Sequence, residues 1–79
     1  MSSRFPSVTS NDVIRVLKKV GFRFKRQSGS SHAIYFRDSD KKRTTVPIHS
    51  EKIIKRKTLK SILSDASLTI EEFKKLRKR

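Results

Sequence analysis

The sequence predicts an α+β domain in which helices cover one face of a small antiparallel sheet. Three observations carry that prediction. Apolar residues recur at helical spacing over residues 13–20 and 59–66; a two-residue period runs between them, broken by polar turns; and 79 residues suffice for one core only. No internal repeat or long linker divides the chain, so residues 1–79 read as a single domain, with residues 1–9 a lead-in and 74–79 a basic tail. A domain this short buries only about 60% of the surface its unfolded chain exposes, so stabilisation by a partner or within an oligomer is expected.

The elements follow in order. Thr9-Ser10-Asn11-Asp12 fits a helix cap near Thr9 or Ser10, with the Asp12 carboxylate at the positive end of the helix dipole. Val13, Ile14, Leu17 and Val20 form one helical stripe, and Gly21 ends it. Over residues 22–27, Phe22 and Phe24 fall on one side and Arg23, Lys25 and Gln27 on the other, as in a half-buried strand. Residues 28–31 form a turn, residues 32–37 a second strand, residues 38–42 a polar loop and residues 43–48 a third strand. Symmetric closure of that loop sets Phe36 opposite Thr44, Ile34 opposite Val46 and His32 near Ile48. Pro47 cannot donate to a ladder, which puts the third strand at an edge. Leu59, Ile62, Leu63 and Ala66, preceded by Thr58, form a second helix; Thr69 as N-cap with Glu72 three residues on, and Leu68 stapled to Phe73, start a short third.

Charge narrows the function. Twenty-one Lys and Arg against seven Asp and Glu leave a net charge of +14, which calls for a polyanion, nucleic acid first, or a strongly acidic protein. The excess is uneven: residues 1–40 carry eight basic and three acidic side chains, residues 41–79 thirteen and four. Lys52, Lys55, Arg56, Lys57 and Lys60 form the densest run, between the third strand and the second helix. Such runs are most often solvated faces, but in a chain this basic, contact with a phosphate backbone is the favoured expectation. The absence of cysteine removes disulfides, thiolate nucleophiles and Cys-based zinc sites and fits a reducing cytoplasm. Two histidines without ligand spacing give no metal site, no cofactor motif is present, and neither a signal peptide nor a membrane span is expected.

The residues most suggestive of chemistry are Gln27-Ser28-Gly29-Ser30-Ser31-His32, a turn of small residues that delivers a histidine to the head of a strand. Histidine, with an ordinary pKa near about 6.5, exchanges protons at neutral pH. In a chain this basic, His32 therefore stands where a phosphodiester is expected. Its bland alternative is a polar residue that ends a strand. Ser30 and Ser31 can hydrogen-bond a phosphate oxygen or satisfy the turn's own backbone, and Arg26, Lys55 and Lys57 are candidate phosphate-holding cations. His49 has two readings, a secondary catalytic group or a hydrogen-bonding residue in the loop before the second helix; strict alternation puts it on the face opposite His32. Tyr35 and Phe36 alternate, so one of them can face outward, although core packing suits both.

Gly21-Phe22, Arg26-Gln27-Ser28-Gly29-Ser30-Ser31-His32, Thr45-Val46-Pro47-Ile48-His49 and Lys57-Thr58-Leu59-Lys60-Ser61-Ile62-Leu63 together resemble, in order and spacing, the successive motifs of the HicA toxins, over about residues 10–73. The resemblance implies a fold like that of double-stranded-RNA-binding domains, with α-β-β-β-α order. It also implies the toxin of a type II toxin–antitoxin system, a metal-independent cytoplasmic endoribonuclease that cleaves mRNA and is neutralised by a HicB-like antitoxin. In that family the active histidine directly follows a Gly-Ser pair, which carries the role to His32; here Ser31 intervenes. The family also usually has glycine where Lys57 and Ser67 stand. The competing reading is a non-catalytic basic module that binds RNA or DNA, and a third is a basic surface that recruits an acidic protein; neither gives the turn before His32 a task.

Overall fold

A computed structural model describes residues 7–29, 31–48 and 53–77. Regular structure begins at Thr9, whose hydroxyl accepts from the Asp12 N–H (3.3 Å) while the Asp12 carboxylate accepts from the Thr9 N–H (3.0 Å). This reciprocal capping box starts α1 (Ser10–Lys19). Val13, Val16 and Leu17 are buried and Ile14 and Val20 half-buried, so the inward stripe is wider than the spacing alone suggests. The helix ends in a Schellman turn: the Gly21 N–H donates to the Lys18 carbonyl (3.2 Å) and the Phe22 N–H to that of Leu17 (3.0 Å), with Gly21 at φ 97°.

Strands β1 (Arg23–Ser28), β2 (His32–Arg37) and β3 (Lys42–Pro47) form an antiparallel sheet in the order β1-β2-β3. The β2–β3 register differs by one residue from the symmetric closure expected. The turn holds only residues 38–41, with Lys41 at φ 59°, so Lys42 joins β3 opposite Arg37. Phe36 therefore faces Arg43, Ile34 faces Thr45 and His32 faces Pro47. A one-residue shift exchanges the faces. Ala33, Tyr35, Thr44 and Val46 are the buried set, and Ile34 and Phe36 lie on the opposite face.

β1 also departs from the expected half-buried strand. All six of its residues are exposed, and a bulge between Phe24 and Arg26 breaks the two-residue alternation at Lys25. Phe24 is 49% exposed, with its ring edge-on to Tyr35 at 5.8 Å. The strand is an edge, and its cations and bulge discourage pairing with a further strand. β3 is the other edge, and Pro47 is its last residue, as expected of a residue without an N–H.

α2 (Arg56–Ala66) packs on β3 and buries Leu59, Ile62, Leu63 and Ala66. It begins earlier than Thr58 indicated, with Lys55 as an N-cap that supplies no side-chain bond. The buried Thr44 hydroxyl donates to the Asp65 carboxylate (3.0 Å), tying sheet to helix. The helix ends on Ser67, in the left-handed region at φ 59° and ψ 41°, with the Leu68 N–H donating to the Leu63 carbonyl (2.9 Å). α3 (Ile70–Arg77) starts with the expected capping box: the Thr69 N–H donates to Glu72 (2.9 Å) and the Glu72 N–H to the Thr69 hydroxyl (3.0 Å). Phe73 is fully buried and Leu68 half-buried.

Both chain ends carry more structure than the lead-in and basic tail expected. Val8 is buried in the core, and its carbonyl accepts from the Ile54 N–H (2.8 Å). α3 continues through Arg77, the Leu76 carbonyl accepts from Lys19 (2.7 Å), and the Arg77 guanidinium reaches the Ser7 carbonyl (3.4 Å). Residues 78–79 lie outside the described residues.

Arg37 closes the end of the molecule where α1 and α2 finish. Its guanidinium donates to the carbonyls of Val20 (2.8 Å) and Ala66 (3.4 Å), pairs with Asp40 through two bonds (3.0 and 2.9 Å), and stacks on the Phe22 ring at 4.5 Å. The Arg37 hydrogen bonds hold the Asp40 carboxyl below its ordinary pKa. A depressed carboxyl favours the folded state above its unfolded value, and that contribution is lost as pH falls through the lower folded value.

Replacing Arg37 with Met, which keeps the stem but leaves two helix-end carbonyls without their cation, should cost about 2–3 kcal/mol; urea unfolding reads this as a lower midpoint at unchanged slope. Ser67→Gly should have the opposite sign, raising stability by about 0.5–1 kcal/mol because glycine occupies the left-handed position without a Cβ penalty.

Candidate nucleic-acid interface

Hydrogen bonds between elements fix which ends of the molecule lie together. The Ser10 hydroxyl donates to the Pro47 carbonyl, Thr9 bridges Ile53, and Ile54 bonds Val8. Pro47 lies opposite His32 across the sheet. The head of β2, the β1–β2 turn, the start of α1 and the start of α2 therefore share one end, and the Arg37 clamp occupies the other. Both helices point their partial positive charge toward the histidine end.

His32 is the first residue of β2 and is exposed, paired with Ser28 on one side and Pro47 on the other. On the same sheet face, Arg26 of β1 sits diagonally beside it, a relation that spans about 7–8 Å between backbone positions. Ser31 is half-buried, and its carbonyl accepts from the Ile48 N–H (2.7 Å), so the turn is tied to the end of β3. Gly29 adopts φ 69°, and an added Cβ would meet nothing within 4 Å, so its requirement is conformational. Lys55, Arg56 and Lys57 are exposed at the start of α2, with Lys60 exposed one turn further on. His49, Ser30 and Lys52 lie outside the described residues.

The structure thus brings His32 and Arg26 onto one face and gathers the α2 cations at the same end of the molecule. The first turn of α2 contains no acidic residue, and the helix dipole adds to the positive field of Lys55, Arg56 and Lys57. Two further cations share the face of His32 without having been singled out from the sequence, Lys25 and Arg43, together with the half-buried Ile34 and Phe36. The bulge puts Arg26 on this face beside Lys25, and the register shift brings His32 onto the face of Arg43; strand alternation reveals neither. Among the described residues no three His, Asp or Glu side chains are grouped so as to hold a metal ion, and no helix is long and apolar enough to cross a membrane.

The model of a family described as the HicA toxin of bacterial toxin–antitoxin systems matches residues 10–68, from the first residue of α1 to the turn after α2. No curated protein matches the chain.

Gly29→Ala should lower stability by about 1 kcal/mol through backbone strain alone, because no neighbour obstructs the added methyl group. A fall in the thermal midpoint with the far-ultraviolet spectrum preserved is the expected readout.

Proposed function

We propose that this chain, which belongs to the HicA toxin family of bacterial toxin–antitoxin systems, is a cytoplasmic endoribonuclease that cleaves mRNA and is restrained by a HicB-like antitoxin covering the end of the molecule that carries His32. The observation that carries the reading is the exposure of His32 at the head of β2, beside Arg26 and at the end where both helices begin.

RNA carries its own nucleophile. The 2′-oxygen attacks the adjacent phosphorus, the bond from phosphorus to the 5′-oxygen breaks, and the products are a 2′,3′-cyclic phosphate and a 5′-hydroxyl. One proton leaves the 2′-hydroxyl and one reaches the departing 5′-oxygen, so no redox partner or co-reactant is needed. His32 serves this exchange as base for the first or acid for the second, a contribution typically worth about 100- to 10,000-fold. Arg26, Lys55 and Lys57 hold the phosphoryl oxygens, which gain charge in the transition state. The Ser31 hydroxyl stands in the turn beside the same phosphate, with Ser30 its neighbour in sequence. Arg56 and Lys60 extend the basic surface; Lys52, outside the described residues, is a further candidate for RNA contact from the sequence, and His49 a secondary catalytic one.

His32→Ala should reduce RNA cleavage in the presence of a chelator by about 100-fold or more while RNA retention and the unfolding midpoint persist. Undiminished cleavage by that variant would falsify the assignment and leave a basic nucleic-acid-binding module.

A further inference from the structure

The sheet face turned away from the helices is arranged in cross-strand rows. Ser28, His32 and Pro47 make one row, Arg26, Ile34 and Thr45 the next, and Arg23, Phe36 and Arg43 the third. Ile34 and Phe36 thus form an apolar spine along the central strand, half-buried, with exposed cations on both sides. Lys25 lies with its ammonium 4.8 Å from the centre of the Phe36 ring. At the far end Arg23 is engaged by Asp38 through two bonds (3.1 and 3.2 Å), which leaves Lys25, Arg26 and Arg43 as the cations beside the spine. From His32 to Phe36 is four residues of strand, about 13 Å, or roughly two nucleotide steps of an extended single strand.

We infer that this face is the track for single-stranded RNA, with a base stacked on Phe36 and phosphates held by Lys25, Arg26 and Arg43, leading the chain to His32. The inference rests on the reading of His32 as the cleavage residue. A single strand is the occupant that suits the surface. Its bases are free to meet an aromatic and aliphatic spine while its backbone follows the flanking cations, the combination that sequence-tolerant single-strand binding uses. A duplex keeps its bases stacked inside and offers sugars and phosphates, which leave Ile34 and Phe36 unmatched. The Lys25 side chain lies over Phe36 in the free protein and, being long, exposed and flexible, swings aside at little cost.

The test is fluorescence anisotropy on the full chain carrying His32→Ala, which prevents turnover, with a short labelled single-stranded oligoribonucleotide of mixed sequence and the duplex formed with its complement. Lys25→Gln with Arg43→Gln, both exposed positions that leave the core untouched, should weaken single-strand binding about tenfold and reduce the slope of log affinity against log salt by about 1.4, with duplex binding at its starting level. Phe36→Leu, which keeps an apolar side chain on the spine, should weaken single-strand binding about fivefold or more. Unchanged single-strand affinity and slope overturn the track, and an equal loss for the duplex reduces the face to an unselective phosphate surface and overturns it as well. Unchanged RNA binding with weakened capture of the cognate antitoxin assigns the face to protein docking and likewise overturns it. Cleavage by otherwise native protein is scored separately: if it depends on His32 while the face variants bind normally, the ribonuclease reading stands and the track alone fails.

Discussion

The guanidinium of Arg37 holds together the ends of three elements that no other described side chain joins at once. Its fork reaches the carbonyl of Val20 after α1, that of Ala66 at the end of α2, and Asp40 in the turn between β2 and β3, while its plane lies on Phe22. A planar, permanently charged group suits this task, because helix-end carbonyls carry partial negative charge and a fork can satisfy several at fixed angles. The clamp also explains a tight constraint at Gly21, where an added Cβ would come within 3.2 Å of the Arg37 stem, in a backbone conformation that already favours glycine. With one end of the molecule fixed in this way, the other end is left to carry exposed charge and the histidine.

Division of labour between the two ends has an electrostatic basis. At the clamped end, a cation is placed against helix C-termini and an acid against that cation, so charges are matched. Toward the histidine end, cations stand at the start of α2, the position the helix dipole disfavours, and no acid lies in its first turn. A fold that places cations at a helix N-terminus gives up some stability locally and adds to the field offered to an anion. α1 does the reverse, with Asp12 capping its first turn, which keeps that helix firmly seated without help from a ligand.

What the sequence disclosed, and what it hid, follows the range of the interactions concerned. Both capping boxes, the glycine after α1, the limits of β2 and the edge position of Pro47 were legible because each depends on residues a few places apart. Register was not. It depends on whether the turn after β2 holds four residues or five, and Lys41, an unremarkable residue in sequence, settled that by adopting a left-handed conformation. The consequence was large, since Ile34 and Phe36 exchanged faces with Ala33 and Tyr35 in the account of the core. The bulge at Lys25 hid the face of Arg26 and its neighbours in the same way. Of the candidate site, His32 and the basic run at the start of α2 could be picked out by residue type, whereas Arg26 and Arg43 come to share the face of His32 only through the pairing of strands.

β1 contributes no buried residue and joins the sheet along one side only. Its attachment rests on the ladder to β2 together with exposed contacts such as Arg23–Asp38, Phe24–Tyr35 and Lys25–Phe36, so the free energy needed to detach it lies well below that of unfolding the helices and the central strand. Amide protons along β1 are accordingly expected to trade with solvent earlier than those of the central strand. The margin that bears His32 is thus softer than the body of the protein, open to reshaping by whatever it grips while the core stays intact.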